Sequence, residues 1–226
     1  MIIVEKKFYS QERKDPTMKK VVITIARQYG SGGREIGERV AELLSIPKYD
    51  KELIRLAVED DETLTEEDAH MVDERATNSL LYTLAMGSNM FSAIHGVGHV
   101  PPLNDKLFVK QSEIIRRVAE EGSCVIIGRC SDYVLREEPA RLSVFIYADI
   151  EARRARVAQR HELTPSAALD VINKTDRRRS SYYNFYTGAK WGKYDNYHLA
   201  LNSATLGIEG TAQVIAHMAR LKMEQE

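Results

Sequence analysis

Six consecutive residues carry backbone and side-chain groups suited to binding phosphate: Gly30, Ser31, Gly32, Gly33, Arg34 and Glu35. An apolar run over residues 21–26 precedes them, and an amphipathic helical pattern begins at residue 33. Glycines let the N–H groups of a turn point inward, and a helix that starts there directs the positive end of its dipole at the same point. The sequence therefore predicts an anion site. A purely structural turn between a strand and a helix is the alternative.

This turn departs from the Walker A pattern, in which a glycine and four free positions precede Gly-Lys-Ser/Thr. When the glycines of the turn are aligned, Arg27 stands at the first glycine and Gly33 at the lysine. Arg34 comes one residue later, and its guanidinium can reach a phosphate with a geometry unlike that of an ammonium group. The dinucleotide pattern G-x-G-x-x-G agrees less well, because Glu35 falls at its third glycine. Phosphate binding is thus better supported than catalysis.

A second set of cations lies on the helix predicted over residues 149–161, and its members are Arg153, Arg156 and Arg160. Side chains three and seven positions apart lie on one side of an α-helix. Three guanidinium groups on one side call for an anion, so this helix is predicted to supply cations to a phosphate site. The alternative is a solvated helix whose charges pair with carboxylates such as Glu151 and Glu162.

Arg129 directly follows the apolar strand predicted over residues 123–127. Open α/β folds bind ligands at the carboxyl ends of their strands, so Arg129 is a candidate anion contact. An ion pair with Asp132 is the alternative.

Arginines and aromatic residues alternate near the end of the chain. A helix that begins at Thr164-Pro165 reaches Asp176-Arg177-Arg178-Arg179, and seven aromatic residues lie between positions 182 and 197. Such groups bind a single nucleotide, or they bind single-stranded nucleic acid by stacking on its bases and pairing with its phosphates.

These groups need a scaffold that brings strand ends together. Apolar strands alternate with helical patterns along the chain, which predicts an α/β fold with a parallel sheet and right-handed crossovers. The helices are expected at 33–45, 51–59, 106–121, 149–161, 165–179 and 209–222. We expect a flexible extension over residues 1–18 and one domain over 19–226, with a helical insertion at about 60–105.

Composition narrows the class of protein. Of the 226 residues, 43% are hydrophobic and 29% are charged, and the formal net charge is −1, which indicates a globular chain without a general affinity for nucleic acid. Two cysteines without C-x-x-C spacing and the lack of any apolar run of ~20 residues predict a cytoplasmic protein that does not enter a membrane. The Met- and Leu-rich segment 62–94 is expected to form a core or helix contact, and it can hold a homodimer.

Four ordered landmarks between residues 19 and 220 resemble the P-loop cytidylate kinases, and more closely the cytidylate kinase-like proteins with a degenerate phosphate loop. The landmarks are Gly30-Ser31-Gly32, Gly128-Arg129, Asp176-Arg177-Arg178-Arg179 and Leu201-Asn202-Ser203-Ala204-Thr205-Leu206. The resemblance implies a three-layer P-loop NTPase-type sheet with helices on both faces and a helical acceptor or lid insertion. It also implies transfer of the ATP γ-phosphoryl group to CMP or another small acceptor, with Mg²⁺ held mainly by the nucleotide phosphates and no metal site built from the protein.

Individual roles follow from the same resemblance. Residues 30–35 would hold the donor phosphates, and a lid region at about 150–195 would close over them. Arg34 and the lid cations Arg153, Arg156 and Arg160 would form the catalytic set. The acceptor would be contacted by Asp50, Arg129, Asp176 and Arg179.

Three positions depart from the family pattern: Lys51 replaces a serine, Cys130 an aspartate and Gly33 the loop lysine. Recognition of cytosine is therefore left open. A nucleotide-binding regulator that has lost phosphate transfer is one alternative, and a nucleic-acid-binding module is another, disfavoured by the near-neutral charge. The expected partners are small nucleotides, without a membrane.

Overall fold

The computed structural model of the protein describes residues 19–50, 52–59 and 103–224. The predicted extension over 1–18 lies outside the described residues, as does nearly all of the predicted helical insertion at about 60–105 and the Met- and Leu-rich segment within it.

Five parallel strands form one sheet in the order β2-β3-β1-β4-β5. They are β1 (Val22–Arg27), β2 (Lys48–Tyr49), β3 (Cys124–Ile127), β4 (Arg141–Tyr147) and β5 (Leu199–Asn202). In this register Ile25 of β1 pairs with Ile127 of β3 and with Val144 of β4, so the carboxyl ends of the central strands meet at one edge. The predicted parallel α/β sheet is confirmed. Strand β2 was not predicted, because two residues are too few to show a period.

Seven α-helices lie in the described ranges: α1 (Gly33–Leu44), α2 (Glu52–Glu59), α3 (Leu103–Glu121), α4 (Ser131–Val134), α5 (Ile150–His161), α6 (Pro165–Thr187) and α7 (Ser203–Glu224). Helix α6 runs past the predicted end near residue 179, and it includes the first four aromatic residues of the predicted cluster. Helix α7 begins at the end of β5 and is interrupted at Gly207, whose φ of 66° and ψ of −172° are not helical. No helix in these ranges combines the length and apolar character needed to cross a bilayer.

Helices cover both faces of the sheet, because successive side chains of each strand point to opposite sides. One face, which includes Ile23 and Ile25, packs against α1 and α7. The other face, which includes Val22 and Ile126, packs against α2, α3 and α4. The central strands are therefore buried on both sides, which explains why their sequences are apolar without alternation.

Helices α5 and α6 form a hairpin that packs against the glycine turn. Thr164 caps α6 by accepting a hydrogen bond from the N–H of Ala167, and Pro165 takes the first helical position. Val157 of α5 and Ile172 of α6 share a small apolar cluster with Tyr29 of the turn. This packing fixes the arginine-bearing face of α5 beside the turn.

Candidate functional site

The turn between β1 and α1 is shaped by two glycines in the left-handed region, Gly30 with φ of 77° and Gly32 with φ of 79°. Residues with a Cβ rarely adopt this conformation. A Cβ on Gly32 would also collide with Cδ1 of Ile208, so the space beside the turn is filled. The left-handed backbone therefore favours glycine at this position, and a larger residue would also have to displace the end of the Ile208 side chain.

Ser31, between these glycines, is fully buried and does not line the cavity described below. Its hydroxyl donates to the carbonyl of Gln28 at 2.8 Å. Its own carbonyl accepts a hydrogen bond from the hydroxyl of Ser203, the first residue of α7, and the oxygen of that hydroxyl also lies 3.2 Å from the carbonyl oxygen of Tyr147. Ser31 thus links the glycine turn to the first residue of α7 by a hydrogen bond, and it stabilises the turn without contacting the cavity.

Three residues of the first turn of α1, Gly33, Arg34 and Glu35, line the cavity. The first N–H groups of a helix have no partner within the helix, and the dipole adds partial positive charge there. The N–H of Ile36 is the first to return to the turn, donating to the carbonyl of Gly32 at 2.9 Å. The predicted phosphate-binding segment therefore has donors available for an anion.

Arginines of α5 bind carbonyl groups of the turn. Nη1 of Arg156 donates to the carbonyl of Gly30 at 2.7 Å, and Nη1 of Arg153 donates to that of Tyr29 at 3.3 Å. Because the peptide group is planar, fixing a carbonyl also fixes the N–H of the next residue in the opposite direction. The helix predicted to supply cations therefore also sets the conformation of the turn.

Arg153 and Asp176 form an ion pair beside the turn, with Nη1 and Oδ2 2.6 Å apart. The other oxygen of Asp176 accepts a hydrogen bond from the N–H of Tyr29 at 2.7 Å. The resemblance implies a lid role for Arg153 and an acceptor contact for Asp176. The structure places both outside the described lining of the cavity, where they bind each other and the turn.

A cavity of about 520 Å³ opens at the carboxyl edge of the sheet, within the size range of small-molecule sites. Seven arginines and three carboxylates are among its lining residues: Arg27, Arg34, Arg129, Arg156, Arg160, Arg178, Arg179, Glu35, Asp50 and Asp132. The excess of positive charge favours a ligand that carries several negative charges.

The predicted acceptor residues Asp50, Arg129 and Arg179 all line this cavity. Asp50 is buried, with Oδ1 3.6 Å from Nη2 of Arg27 and Oδ2 3.3 Å from Nε of Arg34. Nη1 of Arg179 donates to the carbonyl of Arg27 at 3.0 Å. The structure thus brings three of the four predicted acceptor residues to the cavity, where two of them contact Arg27.

Three consecutive left-handed residues follow β3: Gly128, Arg129 and Cys130, with φ of 77°, 59° and 54°. Non-glycine residues in this region cost of order 1–3 kcal/mol each, and they concentrate at functional sites. All three line the cavity. Burial raises the pKa of the Cys130 thiol, which keeps it protonated and disfavours a nucleophilic role.

The predicted catalytic arginines differ in their partners. Arg34 pairs with Asp50 and, at 3.6 Å, with Glu38, while Arg160 pairs with Glu35. Arg156 lines the cavity and has no carboxylate partner in the described part of the chain. Arg178, which the sequence singles out only within the Asp-Arg-Arg-Arg motif, also lines the cavity, and its buried Nε has no hydrogen-bond partner among the described residues.

The cavity also has an aromatic side, formed by Tyr182, Tyr183 and Trp191. The hydroxyl of Tyr183 donates to Oδ2 of the buried Asp132 at 2.7 Å. Burial raises the pKa of Asp132, and burial together with the neighbouring Asp132 raises that of Tyr183. Sequence reasoning considered Asp132 only as an ion-pair partner of Arg129. In the sequence, only the aromatic residues after the arginine motif indicated that the site has an aromatic side.

Asp132→Asn is expected to change the pH dependence of stability. The folded protein binds a proton at Asp132 more tightly than the unfolded chain, in which the pKa of aspartate is about 3.9. Ionisation of Asp132 therefore lowers the free energy of unfolding as the pH rises from about 4 through the raised pKa. The introduced amide retains an acceptor oxygen for Tyr183, so the variant should become progressively more stable relative to wild type over this window, as measured by urea unfolding at several pH values.

Asp195→Asn provides the control, because this carboxylate is exposed and its hydrogen bond to Lys193 lowers its pKa. It should show no such gain in stability with rising pH. A constant stability difference between Asp132→Asn and wild type across the pH series would contradict the expectation for Asp132.

The comparisons with known proteins agree with this architecture. The chain matches the model of the cytidylate kinase-like family over residues 22–205. An uncharacterized protein from Eubacterium ventriosum ATCC 27560 is 26% identical, with a TM-score of 0.64 over 88% of this chain and 98% of that one. Shikimate kinase from Bacteroides thetaiotaomicron is 15% identical, with a TM-score of 0.51 over 88% of this chain and 98% of that one, and is similar in fold. No curated protein gave a match.

Proposed function

Because this chain belongs to the cytidylate kinase-like family, we propose that it is a phosphotransferase that moves the γ-phosphoryl group of ATP to a nucleoside monophosphate resembling CMP, or to another small anionic acceptor. One observation carries the proposal. A single cavity combines the glycine turn, the N-terminus of α1, seven arginines and an aromatic side.

The donor phosphates would bind at the turn and the first turn of α1. Gly32, Gly33 and Arg34 contribute backbone there, and Arg156 and Arg160 approach the same region from α5. N–H groups and guanidinium groups held in advance stabilise charge that develops on a transferring phosphoryl group. This arrangement supports donor binding at the turn.

The acceptor would lie next to the donor, beside Asp50, Arg129 and Arg179, which also line the cavity. The guanidinium groups would bind its phosphate, and Tyr182 with Trp191 would provide aromatic surface for its ring. An acceptor phosphate that is largely dianionic near pH 7 needs no general base. Catalysis would then consist of positioning, charge neutralisation and exclusion of water.

The carboxylates that line the cavity each contact another side chain of the protein, which limits how they could bind Mg²⁺. Glu35 contacts Arg160, Asp50 contacts Arg27 and Arg34, and Asp132 accepts from Tyr183. Within the described residues no group of three His, Cys, Asp or Glu side chains is arranged for a metal. These contacts fit an ion bound mainly by phosphate oxygens. When bound, Mg²⁺ would neutralise charge on the β- and γ-phosphoryl oxygens.

Thermal melting with Mg·ATP, Mg·GTP and a panel of nucleoside monophosphates tests the proposal, followed by assays of phosphate transfer on the ligands that bind. A rise in melting temperature with ATP and with CMP, together with formation of ADP and CDP, is the expected result. A rise with ATP alone, without transfer to any monophosphate, would point to another acceptor or to the regulator, which the absent loop lysine also favours. No rise with any nucleotide would overturn the proposal.

Arg156→Gln is expected to reduce the rate of phosphate transfer ~10²-fold, because it removes both a cation of the cavity and the hydrogen bond to the carbonyl of Gly30. Steady-state kinetics, with ATP and an acceptor that the transfer assays identify, measures the effect. Arg154→Gln on the same helix is the matched control, since Arg154 pairs with the exposed Glu151 and lies outside the described cavity lining. Equal rates for both variants would remove Arg156 from the mechanism.

A further inference from the structure

Arg27 is the last residue of β1, and its side chain extends through the site from the start of α1 to the turn after β3. Its stem lies beside the backbone of Gly33, at the start of α1, and its guanidinium reaches Gly128, at the turn after β3. Oδ1 of Asp50 lies 3.6 Å from Nη2 of Arg27. The Arg27 side chain is mostly buried but still lines the cavity. Arg27 therefore spans the distance between the donor turn and the acceptor side.

Two glycines make room for this side chain. A Cβ on Gly33 would lie 2.5 Å from Cβ and 2.9 Å from Cγ of Arg27, which is closer than any Cβ contact allows. A Cβ on Gly128 would collide with Nη1 of Arg27, and the φ of 77° at that position also favours glycine. Positions 27 and 33 cannot both carry a side chain in this backbone.

This exclusion explains the two departures from the Walker A pattern together. The pattern has glycine at the position of Arg27 and lysine at that of Gly33, whereas this chain has a long cation at the first position and glycine at the second. Relative to the Walker A pattern, the cationic residue and the glycine have changed places between positions 27 and 33, which lie next to each other in the structure. Arg34, the other candidate, is half exposed and pairs with Asp50 and Glu38.

We infer that Arg27 is the phosphate cation that takes the place of the Walker lysine and contacts the phosphoryl group that is transferred. The inference rests on the proposed function. During transfer the bond from the γ-phosphorus to the bridging oxygen breaks, and a bond from that phosphorus to an acceptor phosphate oxygen forms. Arg27 loses no proton and neutralises charge from a position between donor and acceptor.

The charge on Arg27 is only partly compensated by its neighbours in the structure. Burial, and next the neighbouring guanidinium of Arg179, lower the pKa of Arg27 to about 9, against a partial opposing effect of Asp50. The side chain is still charged at pH 7, and a bound phosphate would add negative charge to that of Asp50, which offsets the burial only in part. This agrees with a cation arranged for a ligand.

Binding measurements separate this inference from the proposed function. Isothermal titration with Mg²⁺ and either ADP or the non-hydrolysable ATP analogue adenylyl imidodiphosphate compares ligands with and without a γ-phosphoryl group. Arg27→Gln should weaken binding of the analogue at least about tenfold and change ADP affinity much less. Arg27→Lys should recover part of the preference for the ATP analogue over ADP that Arg27→Gln loses. An unchanged ratio of the two affinities in a folded Arg27→Gln protein would overturn the inference and leave the proposed function standing.

The exchange itself supplies a second test, which remains decisive if Arg27→Gln does not fold. Gly33→Lys alone should destabilise the protein and weaken analogue binding, because both positions then carry side chains. Combining it with Arg27→Gly removes the collision and restores the Walker arrangement, so the double variant should bind the analogue at least about tenfold more tightly than either single variant. A double variant no better than the singles would overturn the inference. Failure of the wild type to bind either nucleotide would overturn the proposed function, and the inference with it.

Discussion

Asp176→Ala should lower the free energy of unfolding by about 3 kcal/mol, because it leaves the guanidinium of Arg153 buried without its partner. Arg153 is 8% exposed, and the N–H of Tyr29 loses its acceptor in the same substitution. Urea denaturation gives the change in stability, and nucleotide titration should show weaker binding because the turn is held less firmly.

Glu151→Ala is the matched control, since it breaks another ion pair of α5, with Arg154, at a mostly exposed position. Exposed pairs contribute about 0 to 1 kcal/mol, so this variant should remain close to wild type. Replacing both buried partners, as in Arg153→Met with Asp176→Leu, should recover part of the stability lost in Asp176→Ala. Equal effects of Asp176→Ala and Glu151→Ala would show that the buried pair does not hold the turn.

Gly32→Ala should weaken nucleotide binding at least about tenfold and lower the free energy of unfolding by roughly 3 kcal/mol. Two costs combine, since the left-handed backbone costs an alanine about 1–2 kcal/mol and overpacking costs about 1–3 kcal/mol. The added Cβ collides with Cδ1 of Ile208, so the turn and the Ile208 side chain must shift relative to each other, which displaces the N–H groups of the turn to the extent that the turn moves. Urea unfolding and nucleotide titration measure the two effects.

Gly188→Ala isolates the backbone cost. Gly188 has φ of 67° at the end of α6, and an added Cβ there would have no atom within 4 Å. This variant should lose about 1–2 kcal/mol of stability and retain nucleotide affinity. Adding Ile208→Ala to Gly32→Ala should restore part of the binding by removing the collision. If Gly188→Ala weakened nucleotide binding as much as Gly32→Ala, the conformation of the glycine turn would not determine nucleotide affinity.

The scaffold was largely predictable because its signals are local. The apolar run before the glycine turn and the cap at Thr164-Pro165 each lie within a few residues, and the structure has β1 and α6 beginning where these patterns predict. Strand β2 and the end of α6 were missed. The first is held by pairing with β3, and the second by packing of its tyrosines against other elements.

The interior of the site could be predicted only in part. The sequence identifies the glycine turn and the cation-rich face of α5, but it does not show that Arg153 is used to hold the turn while Arg156 reaches the cavity. Arg27 was noted only as the residue standing at a missing glycine. Its role depends on the space left by Gly33 and Gly128, and Gly128 lies far from it along the chain.

The groups that shape the glycine turn are synthesised long after the turn itself. The hydrogen bond from Arg156 to Gly30 joins residues 126 positions apart, and the bond from Ser203 to Ser31 joins residues 172 positions apart. Closing such long loops has an entropic cost that only the nearly complete chain can offset. During translation the glycine motif therefore leaves the ribosome before the residues that hydrogen-bond to it, and the full set of contacts that holds the turn can form only after the start of α7 has been synthesised.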